Sequence, residues 1–358
     1  MTDTMFRQHA YVVPQHDNHW PYLTCRETLN AAAQLYQTPA SQVDFVLRKM
    51  GLETCSEVRN SSLSGGQRRR LSIGLALLKQ PTVLFLDEPT SGLDAAAATA
   101  IMQEIVRVAK EEGLIIICTI HQPSTKVYNG FDQLMILSRG RPAFVGNVQD
   151  AVPYFEESGY PCPPAMNPAE FFLDLVNSDF SNEKDVTDIL DSWAELGGQS
   201  TQHRTSLSED KADEEEDSKG IVKIRRAPLA TELSVVFVRH ARLVMRDPIL
   251  YLGRCVIFLF MNLVFAFVYW NGRENAQDQV LNKFWVNLWF IGVPTNMGVV
   301  AVYSLNEEFK SILRESKNGM ISPYSYVLAK TVLVIPIFFH LRSLRIGTTS
   351  ICCTKRAW

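Results

Sequence analysis

The sequence predicts a parallel-sheet α/β unit followed by an α-helical domain with segments of membrane-spanning length. Three observations carry this. Val83-Leu84-Phe85-Leu86 and the stretch from Leu114 to Ile120 are short continuous apolar runs, the pattern of strands buried in a parallel sheet. Between them, Ala95 to Glu112 has helical spacing, which gives the order strand, helix, strand. Beyond about residue 250 the apolar runs lengthen, and Ile249 to Trp270 supplies about twenty mostly apolar residues, enough for a hydrocarbon core about 30 Å thick.

In chain order, Tyr11 to Val13 reads as a short strand that meets Pro14 and a polar loop. Thr24 or its neighbour caps a helix starting near Arg26, with Leu29, Ala32, Ala33 and Tyr36 at helical spacing. Val43, Phe45, Val46, Leu47 and Met50 form a second amphipathic stretch ending at Gly51. Leu63-Ser64-Gly65-Gly66-Gln67 then opens a helix over Arg68 to Lys79, with Leu71, Gly74, Leu75 and Leu78 on one face. A serine and two glycines at that tip leave backbone N–H groups open, and the helix dipole favours an anion there. Asp87 and Glu88 follow the strand 83–86 at its C-terminal edge, where open α/β sheets place their ligands. A phosphate cradle beside paired acids points to magnesium-nucleotide chemistry. In the next helix Ile101, Ile105 and Val108 make the buried stripe and Gly113 ends it. His121 stands at the end of the following strand. Phe131 to Ser138 is a further strand-like run turned by Arg139-Gly140.

The length of 358 residues suggests about two domains, and with a net charge of −3 nothing points to nucleic acid, so none is expected as a partner. The seven cysteines show no CxxC pairing, which argues against a zinc site or a disulfide framework. The opening MTDTMFRQHAYVV lacks the apolar core and cleavage site of a signal peptide. The expected domains are 1–177, an acidic solvated linker at 178–226, a helical membrane part at 227–340 and a basic tail at 341–358. The membrane part begins with a basic amphipathic helix from Leu229, carrying Arg239, Arg242 and Arg246, that is expected to lie at an interface. Spans at Ile249–Trp270 and Phe284–Leu305 follow. A third apolar run, Val327 to Phe339, is too short to cross alone. The arginines before the first span and Lys310, Arg314 and Lys317 after the second fall on the same side, the cytoplasmic one by the positive-inside bias.

Leu63-Ser64-Gly65-Gly66-Gln67 resembles the signature motif of the ATP-binding cassette (ABC) family. Val83 to Glu88 resembles its Walker B strand with the following glutamate, and Ser91-Gly92-Leu93-Asp94 its D-loop. Gln15 stands where the Q-loop glutamine stands, and the segment around His121 is similar to the switch-histidine segment. The stretch Leu23 to Leu29 and the stretch 307–339 are similar to the G subfamily, in which the cassette precedes the membrane helices. The resemblance covers residues 11 to about 339. It implies an α/β P-loop NTPase cassette, N-terminally incomplete because no G-x-x-x-x-G-K-[ST] run occurs, followed by an α-helical transmembrane domain that is C-terminally incomplete.

By that resemblance two cassettes close around two ATP molecules, each lying between the P-loop of one and the signature of the other. Ser64, Gly65 and Gly66 would grip the γ-phosphate of a partner's nucleotide, and Gln67 and Asp94 would belong with them and Gln15 to the nucleotide-binding set. Gln15 and Asp87 would hold Mg2+, Glu88 would polarise the attacking water, and His121 would orient the γ-phosphate. The resemblance further implies a second half-transporter as partner, a lipid bilayer around the helices and a hydrophobic or lipid-like substrate. Two other readings stand beside it. The chain is a non-transporting partner that lends its signature face to a complete transporter, or it is a soluble ABC ATPase, which the 249–270 span opposes.

Overall fold

The computed structural model describes residues 6, 8–177, 186–195, 227–247, 306 and 308–333, residue 335, and single residues between 256 and 288. Most of the expected spans 249–270 and 284–305, the tail and most of the linker lie outside the described residues. Among those described, no helix is long and apolar enough to cross a membrane. The chain divides into two compact units, one holding Met1–Tyr11, His16–Pro81 and Ile224–Trp358, the other Val12–Gln15 and Thr82–Lys223.

The second unit carries the parallel sheet. Strand β1 (Ala10–Val13) ends in it, and β2 (Val83–Leu86) and β3 (Ile115–Cys118) complete the order β1-β2-β3. β2 and β3 pair in parallel with Val83 opposite Ile115 and Leu86 opposite Cys118. Helix α4 (Ala95–Glu112), which follows three helices of the first unit described below, connects them. Asp94 caps it and Gly113, at φ 65°, ends it in the left-handed region. It buries Ile101, Ile105 and Val108, as expected, together with Met102. β3 departs from the expected fully buried strand: Ile115 and Ile117 are 57% and 51% exposed. The alternation has a simple cause. β3 is the edge of the three-stranded sheet, and one of its faces has no covering element among the described residues.

An antiparallel hairpin follows, β4 (Gln133–Ser138) and β5 (Arg141–Asn147). Arg139 and Gly140 both take positive φ, 50° and 77°, as a two-residue turn matched to strand twist requires. Its inner face joins a short helix α5 (Thr125–Tyr128), α6 (Val148–Glu157) and α7 (Pro168–Val176) in one core, where the Phe155 and Phe172 rings lie 4.7 Å apart. That core also contains Val186, Ile189 and Leu190 from a helical stretch at 186–195. This part of the expected solvated linker is therefore packed. Its apolar residues recur at helical spacing, a pattern hidden inside a polar composition.

In the first unit, α1 (Cys25–Leu35) starts on a reciprocal cap between Thr24 and Glu27, α2 (Ala40–Lys49) follows, and α3 (Gly65–Lys79) is the longest of the three. Gly74 of α3 meets α2 so closely that a Cβ there would sit 3.0 Å from Val46 Cγ1. In helix α8 (Leu229–Arg246) Arg239 is buried and Arg246 pairs with Glu27 at 2.5 and 2.9 Å. The protein-facing stripe of α8 is Glu232, Val235, Val236, Arg239 and His240, whereas Phe237 and Val238 are exposed. Charge decides this register: acids on α1 and on the helical stretch 308–317 draw the arginines inward. Arg239 donates to both oxygens of Glu315 at 3.0 and 2.8 Å, and Trp20 Nε1 donates to the same carboxylate at 2.7 Å.

Two buried histidines flank this network. His240 Nδ1 lies 2.8 Å from the Val236 carbonyl, and His19 Nε2 lies 3.1 Å from the Arg68 carbonyl and 3.0 Å from Ser72 Oγ. Burial, reinforced by nearby arginines, pushes both imidazoles down to about 3. The folded chain thus keeps them neutral where the unfolded chain takes up protons, below the ordinary 6.5. Their contribution to stability is fully present above pH 6.5 and is lost as pH falls toward 3, by up to about 1.4 kcal/mol per pH unit for each ring. Asp17 opposes part of this at the acid end, because burial raises its carboxyl. The urea midpoint of the chain is expected to drop between pH 7 and pH 5, and His19→Gln with His240→Gln to flatten that drop. An unchanged slope in the double variant would exclude these two rings as its source.

Candidate functional site

Parallel strands deliver their C-terminal ends to one edge, and the second unit places its polar groups there. Gln15 follows β1, Asp87 and Glu88 follow β2, and Thr119 follows β3. The Asp87 amide donates to the Val13 carbonyl at 2.9 Å and the Thr119 amide to the Leu86 carbonyl at 3.0 Å, so the ladder continues one residue into the site. Gln15 Nε2 then donates to Glu88 Oε2 at 2.6 Å and to Ser91 Oγ at 3.4 Å. The Thr119 hydroxyl donates to Asp87 Oδ1 at 2.7 Å and accepts the Glu88 amide at 2.9 Å. Two strand ends and one connecting turn are thereby fixed by side chains.

Glu88 and Gln122 both occupy the left-handed region, at φ 42° and 44°. Neither is glycine, and such conformations cost about 1–3 kcal/mol each. The surrounding bonds hold Glu88 in its strained state, with the carboxylate turned toward Gln15.

Of the residues predicted from sequence, Gln15, Asp87 and Glu88 are brought together. His121 lies exposed on the turn two residues past Thr119. Asp94 spends its carboxylate on the N-cap of α4, where Oδ1 accepts the Ala97 amide at 2.7 Å. Ser64, Gly65, Gly66 and Gln67 form the tip of α3 in the first unit. Ser64 Oγ accepts the Gln67 amide at 3.2 Å while Gln67 Oε1 accepts the Ser64 amide at 2.9 Å. This reciprocal cap leaves the first-turn amides of Gly65 and Gly66 pointing along the helix axis, without intrahelical acceptors. Thr119 and Ser91 were not singled out from sequence. The one signal for Thr119 is its register, one step past the pair Leu86–Cys118.

The donor set bears on a metal. Among the described residues no group of three or more His, Cys, Asp or Glu could hold an ion alone. Asp87 offers one hard carboxylate and Gln15 one neutral amide oxygen, a set that fits Mg2+ when phosphate oxygens complete the shell.

Comparison with known proteins gives three family matches. The model described as ABC transporter matches residues 1–91, and models described as ABC-2 type transporter match residues 231–341 and 121–190. The chain is 32% identical over 351 residues to ABC transporter G family member 1 of Petunia hybrida, covering 91% of this chain and 54% of that protein. It is 29% identical over 360 residues to the bovine Broad substrate specificity ATP-binding cassette transporter ABCG2, covering 91% of this chain and 55% of that protein. Over 195 residues it is 39% identical to ABC transporter G family member 1 of Dictyostelium discoideum, covering 51% of this chain and 24% of that protein. The chain thus spans about half the length of the plant and bovine relatives.

Proposed function

Because the chain belongs to the G family of ABC transporters, we propose that it acts in ATP-driven export of a hydrophobic or lipid-like substrate as one half of a dimeric transporter. The observation that carries the reading is the Gln15–Glu88–Thr119–Asp87 network at the C-terminal edge of a parallel sheet. Phosphoryl transfer is mostly positioning and charge neutralisation, so a small set of fixed groups suffices. Glu88 Oε2 is held by Gln15, which orients the carboxylate before a water molecule arrives. Asp87, steadied by Thr119, and Gln15 would hold Mg2+, which when bound neutralises phosphate charge. His121 would orient the γ-phosphate, and Asp94 would shape the nucleotide contact from the start of α4.

The α3 tip serves the other half. Ser64, Gly65 and Gly66 would grip the γ-phosphate of the partner's ATP, with Gln67 holding the cap. In this reading the cassette would lie on the cytoplasmic side, and the apolar segments that follow α8 in the sequence would enter the bilayer. A second reading, that the chain only lends its signature face to a complete partner, is favoured by one observation: the α3 tip is fully formed by its own Ser64–Gln67 cap. The two readings share a first test. The purified chain is expected to show no ATP turnover, and to alter turnover when co-purified with a full-length G-family half-transporter. Sealed vesicles then separate them, since ATP-dependent accumulation of a hydrophobic dye above the partner-alone level favours export. Turnover by the chain alone would overturn both.

A further inference from the structure

Lys79 is the last residue of α3, and it is 3% exposed. Its Nζ donates to the Ala10 carbonyl at 2.8 Å and the Asn318 carbonyl at 2.9 Å, with the Tyr11 ring centroid 5.7 Å away. The Asn318 carbonyl belongs to the turn that closes the helical stretch 308–317. The Asn318, Gly319 and Met320 amides return there to Arg314, Ser316 and Glu315 at 3.1, 3.0 and 2.9 Å. Gly319 supplies the positive φ of that turn, 73°. Carbonyls at a helix C-terminus lack intrahelical donors and carry the negative end of the dipole. One ammonium, carried on the last residue of α3, therefore serves the turn that ends the helical stretch 308–317 and the first residue of β1. Burial pushes it down to about 8, so the charge is kept at a desolvation cost that the two carbonyls offset.

We propose that Lys79 is a positioning residue that fastens the far end of α3 to the turn 318–320, so that displacement of the Ser64–Gly66 tip carries the 308–320 segment with it. The tip lies about 22 Å from Lys79 along one continuous fifteen-residue helix. A helix of that length moves as a rod, and Lys79 gives its blunt end a grip on the segment before the 323–333 helix. The inference rests on the functional reading above only for what moves the tip.

The test uses the full chain in lipid nanodiscs and needs no nucleotide. In competitive acetylation with acetic anhydride, Lys79 is expected to react at least about ten-fold slower than the exposed Lys110 and Lys126. Gly319→Val, which strains the turn presenting the Asn318 carbonyl, is expected to raise the Lys79 rate about ten-fold and leave Lys110 unchanged. Reciprocally, Lys79→Met is expected to speed hydrogen exchange of 314–320 about ten-fold while α1 stays protected, and Lys79→Arg to keep it within about three-fold of the parent. The clamp is overturned if Lys79 reacts like Lys110, if Gly319→Val leaves its rate unchanged, or if Lys79→Arg loosens the turn as much as Lys79→Met. Should Lys79→Met not fold, the other two variants decide. Intact clamp readouts with no effect of the chain on a partner's turnover would remove the transport reading and leave the clamp standing.

Discussion

Glu315→Ala is expected to cost about 3–5 kcal/mol of stability, because it strands a cation that the fold cannot re-solvate. The Arg239 and Glu315 side chains are 4% and 5% exposed, and Arg239 makes two parallel bonds to the carboxylate. The guanidinium lies 4.9 Å over the Trp20 ring, whose own N–H ends on the same carboxylate. Truncation therefore leaves one charge and one indole donor without an acceptor, in a protein class whose whole stability is about 5–15 kcal/mol. Glu315→Gln is expected to cost less, since an amide oxygen still accepts from Trp20. The double change Arg239→Met with Glu315→Leu is expected to recover most of the loss, because a well-packed apolar pair replaces a buried ion pair at little cost. Urea unfolding of the full chain in detergent reads all three. A Glu315→Ala midpoint indistinguishable from the parent would show that water reaches Arg239.

Sequence periodicity located the elements well where packing and local chemistry agree. Ala95 to Glu112 is a helix bounded as expected, because Asp94 and Gly113 act on its ends without help from elsewhere. Thr24 caps α1 for the same reason. Local spacing is silent where a distant partner decides. The α8 pattern gives a basic amphipathic helix, and nothing in it reveals that Glu315, 76 residues away from Arg239, turns one of its arginines inward. The 186–195 helix was hidden because composition was averaged over a polar stretch, although Val186, Ile189, Leu190 and Trp193 keep helical spacing. At the site, the motifs found Gln15, Asp87 and Glu88. Thr119 was missed because its role depends on inter-strand register, a quantity no single strand encodes.

Gly65→Asp is the substitution expected to silence the chain's contribution to a transporter without harming its fold. A carboxylate in the first turn of α3 faces the positive end of the helix dipole, which stabilises the helix by about 0.3–1 kcal/mol. The Ser64–Gln67 cap does not involve the Gly65 side position, and Gly65 itself is exposed. The same carboxylate would stand where the γ-phosphate of the partner's ATP is proposed to sit, so attraction becomes repulsion. Loss of a preorganised donor site of this kind typically costs about 10²–10³ in turnover. In a complex of this chain with a full-length half-transporter, ATP hydrolysis at the site lined by the α3 tip is expected to fall about 100-fold, with the chain's urea midpoint unchanged or slightly higher. Glu88→Gln in the same complex is expected to leave that site within about two-fold, because in the proposed dimer Glu88 faces the other nucleotide and not the one gripped by the α3 tip. Equal loss from both substitutions would mean that the tip and Glu88 act on one nucleotide. No loss from Gly65→Asp would end the assignment of Ser64 to Gly66 as a phosphate grip.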